Sequence, residues 1–116
     1  MLPAAQRLRS TADFTETTRR GAKGARGCVV VYLVRSAESS PPRVGLIVGK
    51  AVGGSVQRHR AARRIRGALR EVLPGLPLGT RLVVRALRGA DVDPALRDDL
   101  ASAVAAASSR QPRIPT

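Results

Sequence analysis

The sequence predicts a single α+β domain in which helices pack on a small mixed sheet. Three observations carry this. Short β-branched runs alternate with segments of helical period. A helix-length segment separates the last two strand-like runs, enough to place them parallel. Those runs are apolar almost without interruption, so helices must cover much of the sheet. A chain of 116 residues suits one domain, over residues 1–107, that buries roughly two-thirds of its unfolded surface. The tail, 108–116, contains Pro112 and Pro115 and is expected to be disordered.

Ser10, followed three residues later by Asp13, opens a short helix over residues 11–20 that Gly21 stops. Its residues include four threonines, and only Ala12 and Phe14 are apolar, so tertiary contacts must hold it in place. A further short strand is placed near residues 22–27. Cys28–Arg35 and Arg43–Lys50 are strands by their β-branched content, and Ser36–Pro42 between them suits a hairpin connection. Ser55 caps a helix from Val56 to about Leu73, ended by Pro74 and Gly75. After the turn-forming run Pro74–Gly79 comes a third strand, Arg81–Leu87. Asp93 as N-cap and Pro94 at the first helical position begin a final helix that runs to about Ala107.

The core shared by these elements must be aliphatic, because Phe14 and Tyr32 are the only Phe, Tyr or Trp residues. The formal net charge is +13, from 21 Lys and Arg against 8 Asp and Glu, and 19 of the 21 cations are Arg. Such a field exceeds what solubility asks of a small domain and selects polyanionic partners. Arg's planar fork matches phosphate oxygens better than an ammonium does. One cysteine, Cys28, excludes an internal disulfide and is expected to be an inert strand residue. One histidine, His59, leaves too few ligands for a zinc site of the usual Cys and His type. No apolar run is long enough for a signal peptide or a membrane span, so a cytoplasmic location without a membrane partner is expected. The acids form no paired motif suited to metal-assisted phosphodiester hydrolysis, and no His and carboxylate constellation stands out. No catalytic residue and no metal ligand is therefore assigned.

The most informative segment is the helix after Ser55. At ~100° per residue, Ala61, Ala62, Ile65, Ala68, Leu69 and Val72 fall on one stripe, while Arg60, Arg63, Arg64, Arg66 and Arg70 occupy the rest of the circumference. Arg58 lies at the start of the apolar stripe, where it can only project past the edge of the sheet. An ordinary solvated face mixes signs at i and i+4, but here six arginines meet only Glu71. Cations in the first turns also oppose the helix dipole, at roughly 0.3 to 1 kcal/mol each, and a phosphate bound there would reverse that cost. A membrane-surface helix is disfavoured by an apolar stripe made mainly of Ala, with no Trp or Phe.

The stretch RVGLIVGKAVGGSVQRHRAARRIRGALRE, Arg43–Glu71, resembles the signature region of the bacterial ribonuclease P protein family. The triplet Arg58-His59-Arg60 stands where that family has Arg-Asn-Arg, and Arg63, Arg66 and Arg70 continue the pattern. Arg7-Leu8-Arg9, Asp13-Phe14, Gly21, the Tyr32 strand and Leu82–Ala90 are similar too, so the resemblance spans about residues 7–106. Departures are His59 for Asn, Gly49 for Ser, Ala51 and Ala62 for Lys, and Thr18 for an aromatic.

The resemblance implies a fold like the second domain of ribosomal protein S5, with a left-handed strand-helix-strand crossover, although the general rule favours the right-handed form. It implies an RNA-binding subunit that assists a catalytic RNA, with its bound Mg²⁺, in removing the 5′ leader of precursor tRNA. No small-molecule substrate is expected. Against the catalytic RNA it places Lys50, Arg58, His59, Arg60, Arg63, Arg64, Arg66 and Arg70. To a cleft for the single-stranded leader it assigns Arg7, Arg9, Phe14, Tyr32 and Arg85. Phe14 serves as core anchor or stacking platform, and Tyr32 belongs to the cleft edge rather than the core. His59 suits a hydrogen-bonding substitute for Asn better than a catalyst. A structural RNA-binding protein of ribosomal type is the alternative with the same charge, and a self-sufficient protein nuclease is disfavoured by the missing catalytic constellation.

Overall fold

The structure is a computed structural model that describes residues 7–8 and 10–110. Its elements run α1 (Thr11–Arg20), β1 (Ala22–Arg26), β2 (Val29–Arg35), β3 (Arg43–Ile47), α2 (Ser55–Val72), β4 (Thr80–Ala86) and α3 (Leu96–Ser108), with a 3₁₀ turn over Leu73–Gly75. The described strands form one sheet in the order β1-β2-β4-β3. β2 pairs antiparallel with β1 and β4, whereas β3 and β4 run parallel through the α2 crossover, with Val44 beside Leu82 and Leu46 beside Val84. No described helix is long and apolar enough to cross a membrane.

The period-2 alternation of the strands decides the layering. Val29, Val31, Leu33, Val44, Leu82, Val84 and Ala86 face one way and meet Ile65 and Leu69 of α2 and Leu100 and Val104 of α3 in one aliphatic core. Gly24 is buried where α3 crosses β1; a Cβ there would stand 2.2 Å from the Ala103 carbonyl oxygen. The opposite face carries α1 at one end and is covered by no other described helix.

Several boundaries differ from the sequence expectation. Ser36–Pro42 is not a hairpin connection, because β4 inserts between β2 and β3. The linker instead crosses the start of β4. The Ser36 amide donates to the Gly79 carbonyl (2.9 Å), and the Gly79 amide to that of Ser40 (2.8 Å). The tight hairpin joins β1 to β2 through Gly27 and Cys28, and Gly27 takes a φ of 53°. Cys28 thus belongs to a turn rather than a strand. β3 stops at Ile47, beside Arg85 of β4, and Lys50 sits in the following turn.

The helix starts move as well. Ser10 caps α1 as expected, its hydroxyl accepting from the Asp13 amide at 3.1 Å. Ser55 does not cap α2; it is the first helical residue, and Gly54 occupies the cap without a side-chain bond. Asp93 does not cap α3 either. Its carboxylate closes a turn by accepting from the Ala95 amide at 2.9 Å, and the helix begins only at Leu96. The predicted tail lies mostly outside the described residues, as do residues 1–6 and Arg9.

Candidate nucleic-acid interface

On α2, Ala61, Ile65, Ala68 and Leu69 are buried, a spacing of four, three and one that makes a narrow stripe. Ala62 and Val72, expected on that stripe, are only half-buried because they flank it. His59, Arg60, Arg63 and Arg70 are exposed, and Arg58, Arg64 and Arg66 are half-buried. No acid lies in the first turn. Among the described residues, no carboxylate lies within ion-pair distance of Arg58, Arg60, Arg63 or Arg66. Glu71 turns away and pairs with Arg97 of α3 at 3.3 Å. Arg58 reaches past the sheet edge beside Leu46 and Val48, as its place on the helical wheel implied, and its Nε is buried without a hydrogen-bond partner.

Arg64 is placed differently from its neighbours. Its guanidinium donates to the carbonyls of Ala90 (2.9 Å) and Asp93, tying α2 to the loop between β4 and α3. The same loop receives the Cys28 thiol, which donates to the Asp93 carboxylate at 3.4 Å. Burial and the adjacent Asp93 push the Cys28 thiol up to about 11, so it stays protonated at neutral pH. The Ala95 amide, then the thiol, hold the Asp93 carboxyl below the usual range.

The second candidate surface is the other face of the sheet. Gly45, Val83 and Tyr32 form one row across β3, β4 and β2, and Phe14 of α1 lies on Gly45. A Cβ at Gly45 would meet the ring at 2.2 Å, so the glycine is what lets the ring down onto the strand. Phe14 and Tyr32 therefore stand about two strand spacings apart, or ~9–10 Å. Tyr32 is half-buried, and the Arg85 guanidinium lies 5.8 Å from its ring centre. Arg7 pairs as an isolated bridge with Val44, which puts it at the β3 edge near Phe14. Lys23, overlooked in the sequence, sits directly opposite Tyr32 in β1. Counting back from the Gly27 turn would have found it, but only with the hairpin register known.

Also missed was Arg81, which holds α1 against the sheet. Its side chain is 12 % exposed and meets Glu38 at 2.7 Å, Glu16 at 3.0 Å and Asp13 at 3.7 Å. The described residues offer no group of three or more His, Cys, Asp or Glu side chains that could hold a metal. Arginines rather than carboxylates line the candidate surfaces, so these side chains do not fit a protein-held Mg²⁺.

A docked helix with one bare cationic side, opposite a half-covered sheet face carrying an aromatic ring and guanidinium groups, defines a polyanion-binding α+β protein. Comparison with known proteins makes the assignment specific. The family model "Ribonuclease P" matches residues 2–108. The ribonuclease P protein component of Mycobacterium avium (strain 104) is 48% identical over 93 residues, covering 77% of this chain and 78% of the relative. That of Kocuria rhizophila is 46% identical over 112 residues, covering 95% and 98%. The structure of the Staphylococcus aureus RNase P protein superposes with a TM-score of 0.74 at 25% identity, covering 86% of this chain and 93% of that one. The chain belongs to the ribonuclease P protein family.

Proposed function

We propose that this chain is the RNA-binding subunit of a ribonuclease P that removes the 5′ leader from precursor tRNA. As a member of its family it serves a tRNA-processing hydrolase, and the chemistry is assigned to the catalytic RNA and the Mg²⁺ which that RNA holds. The observation that carries this is the α2 surface, where four arginines have no carboxylate partner among the described residues while the helix's one acid points elsewhere. Phosphates of the catalytic RNA relieve the repulsion along Arg58, Arg60, Arg63 and Arg66. His59, Lys50 and Arg70 extend this contact, and Arg64 positions the helix rather than reaching outward. The leader lies across the opposite face, where Tyr32 and Phe14 stack bases and Arg85 and Lys23 meet phosphates. Arg7 borders that path.

Reconstitution tests this directly. Adding the protein to its cognate catalytic RNA at low Mg²⁺ is expected to restore 5′ cleavage, and to favour precursor over mature tRNA. Equal binding of both tRNAs, with no gain in cleavage, would leave only a structural RNA-binding role of the ribosomal type.

A further inference from the structure

β3 is an edge strand, and among the described residues its outer side is engaged only at its start. The Leu8 amide donates to the Val44 carbonyl at 3.1 Å, so the Val44 carbonyl points away from β4. Two residues on, the alternation turns the amide and carbonyl of Leu46 to that same open side. The Leu46 side chain faces α2, as that of Val44 does. Between the end of β3 and the first turns of α2 lies a groove of about 380 Å³, floored by Leu46, Val48 and Ala62 and rimmed by Arg58, His59 and Arg66. Its size falls in the range of ligand clefts, ~300 to 1,000 Å³. A hollow of about 240 Å³ continues it toward Arg7 and Phe14.

Three features select the occupant. Arg58, Ala62 and Arg66 succeed one another at i, i+4 and i+8, a line of cation, gap and cation along one side of the helix. The small side chain of Ala62 opens the gap, and neither arginine has a carboxylate partner among the described residues. The buried Arg58 Nε lacks an acceptor, and a group entering the groove would supply one. Finally, one strand residue, Leu46, presents an edge donor and acceptor pair with no backbone partner among the described residues on that side. Strand addition by a peptide needs a run of such residues, but a single base edge needs one donor and one acceptor.

Building on the RNA-binding role of α2, we infer that this groove holds one unpaired nucleotide of the partner RNA. Its base lies on Leu46, Val48 and Ala62, with the hydrogen-bonding edge at the Leu46 backbone and the His59 and Arg planes stacked above. The adjoining phosphates meet Arg58 and Arg66. This site is on the α2 side of β3, opposite the Tyr32 face.

The test is an amide-resolved NMR titration of the full chain at low salt with adenosine 5′-monophosphate and, separately, ribose 5-phosphate. The nucleotide is expected to shift the Leu46, Val48 and Ala62 amides and to bind roughly 5- to 150-fold more tightly than the sugar phosphate, the range of one stacked base. Ala62→Phe fills the groove and should abolish that preference with unchanged circular dichroism. If that variant fails to fold, Ser55→Trp plugs the groove from the exposed helix start. Equal affinities, or base-dependent shifts confined to Tyr32 and Arg85, would overturn the proposal. So would displacement of the nucleotide by polyglutamate but not by oligouridylate, which would mark a peptide site. An oligouridylate that still moves Arg60 and Arg63 in those cases leaves the broader role of α2 intact. One that moves no α2 resonance removes the broader role as well.

Discussion

Arg81 and Arg66 are both half-buried arginines, yet three carboxylates surround the first, while the second has none within ion-pair distance among the described residues. The contrast extends to their surroundings. Of the eight acids, Asp13, Glu16 and Glu38 gather at Arg81, Asp91, Asp93, Asp98 and Asp99 lie around the start of α3, and Glu71 pairs with Arg97. Arg81 fastens the protein to itself, closing α1 and the Ser36–Pro42 linker onto β4. Arg58, Arg60, Arg63 and Arg66 of α2 have no such carboxylate among the described residues. Placement of the acids, more than the number of cations, creates a one-sided field.

The broadest way to break this contrast is salt. If α2 and its flanks make ~6 to 10 phosphate contacts, affinity for the catalytic RNA should fall by roughly 10³ to 10⁵ between 50 and 200 mM salt, by analogy with duplex binding. A flat profile in filter binding would mean the bare arginines are not in the interface. Arg81→Leu comes next. It leaves three carboxylates without their counter-charge and should lower stability by about 2–3 kcal/mol in urea unfolding, below the ~3–5 of a fully buried pair because the acids are partly exposed.

Arg64→Ala sharpens the comparison from within α2. It removes two charge-assisted bonds to carbonyls and should cost about 1–3 kcal/mol of stability, with a smaller effect on RNA affinity than Arg60→Ala. The latter should leave stability within about 0.5 kcal/mol and reduce the salt slope of RNA binding by about one. Loss of the fold in Arg60→Ala would make that residue structural.

The smallest effect concerns pH. Burial pushes the Glu38 carboxyl up, but Arg81, the Ser40 hydroxyl and Arg43 outweigh it, so the group titrates below its ordinary 4.5. A carboxylate with a depressed folded value contributes its stability above 4.5 and loses it as the pH falls through that lower value. Thermal melts of Glu38→Gln should therefore show a weaker fall below pH 4.5 than the parent. Identical acid limbs would place the acid sensitivity elsewhere.

Local chemistry made much of this legible from residues alone. The Ser10 cap and the limits of α1 follow from a hydroxyl within reach of an amide three residues on, and the two-sided nature of α2 from 3.6-residue periodicity. Arg58 past the sheet edge also followed from that periodicity. Where local signals competed with distant partners, they misled. Asp93 and Pro94 make an ordinary helix start, but the Asp93 carboxylate is engaged by Ala95 and Cys28 and its carbonyl by Arg64.

What the sequence determined by itself was therefore the element types, the aliphatic core and the cationic side of α2, because each depends on contacts within a few residues. The tertiary structure alone decided that β4 divides β2 from β3, that Arg81 gathers three acids from two separate segments, and that Arg64 turns inward while Arg58 and Arg66 border a groove. Those outcomes depend on which distant segments become neighbours. Strand order is a matter of packing the whole chain, and no periodicity within one segment encodes it.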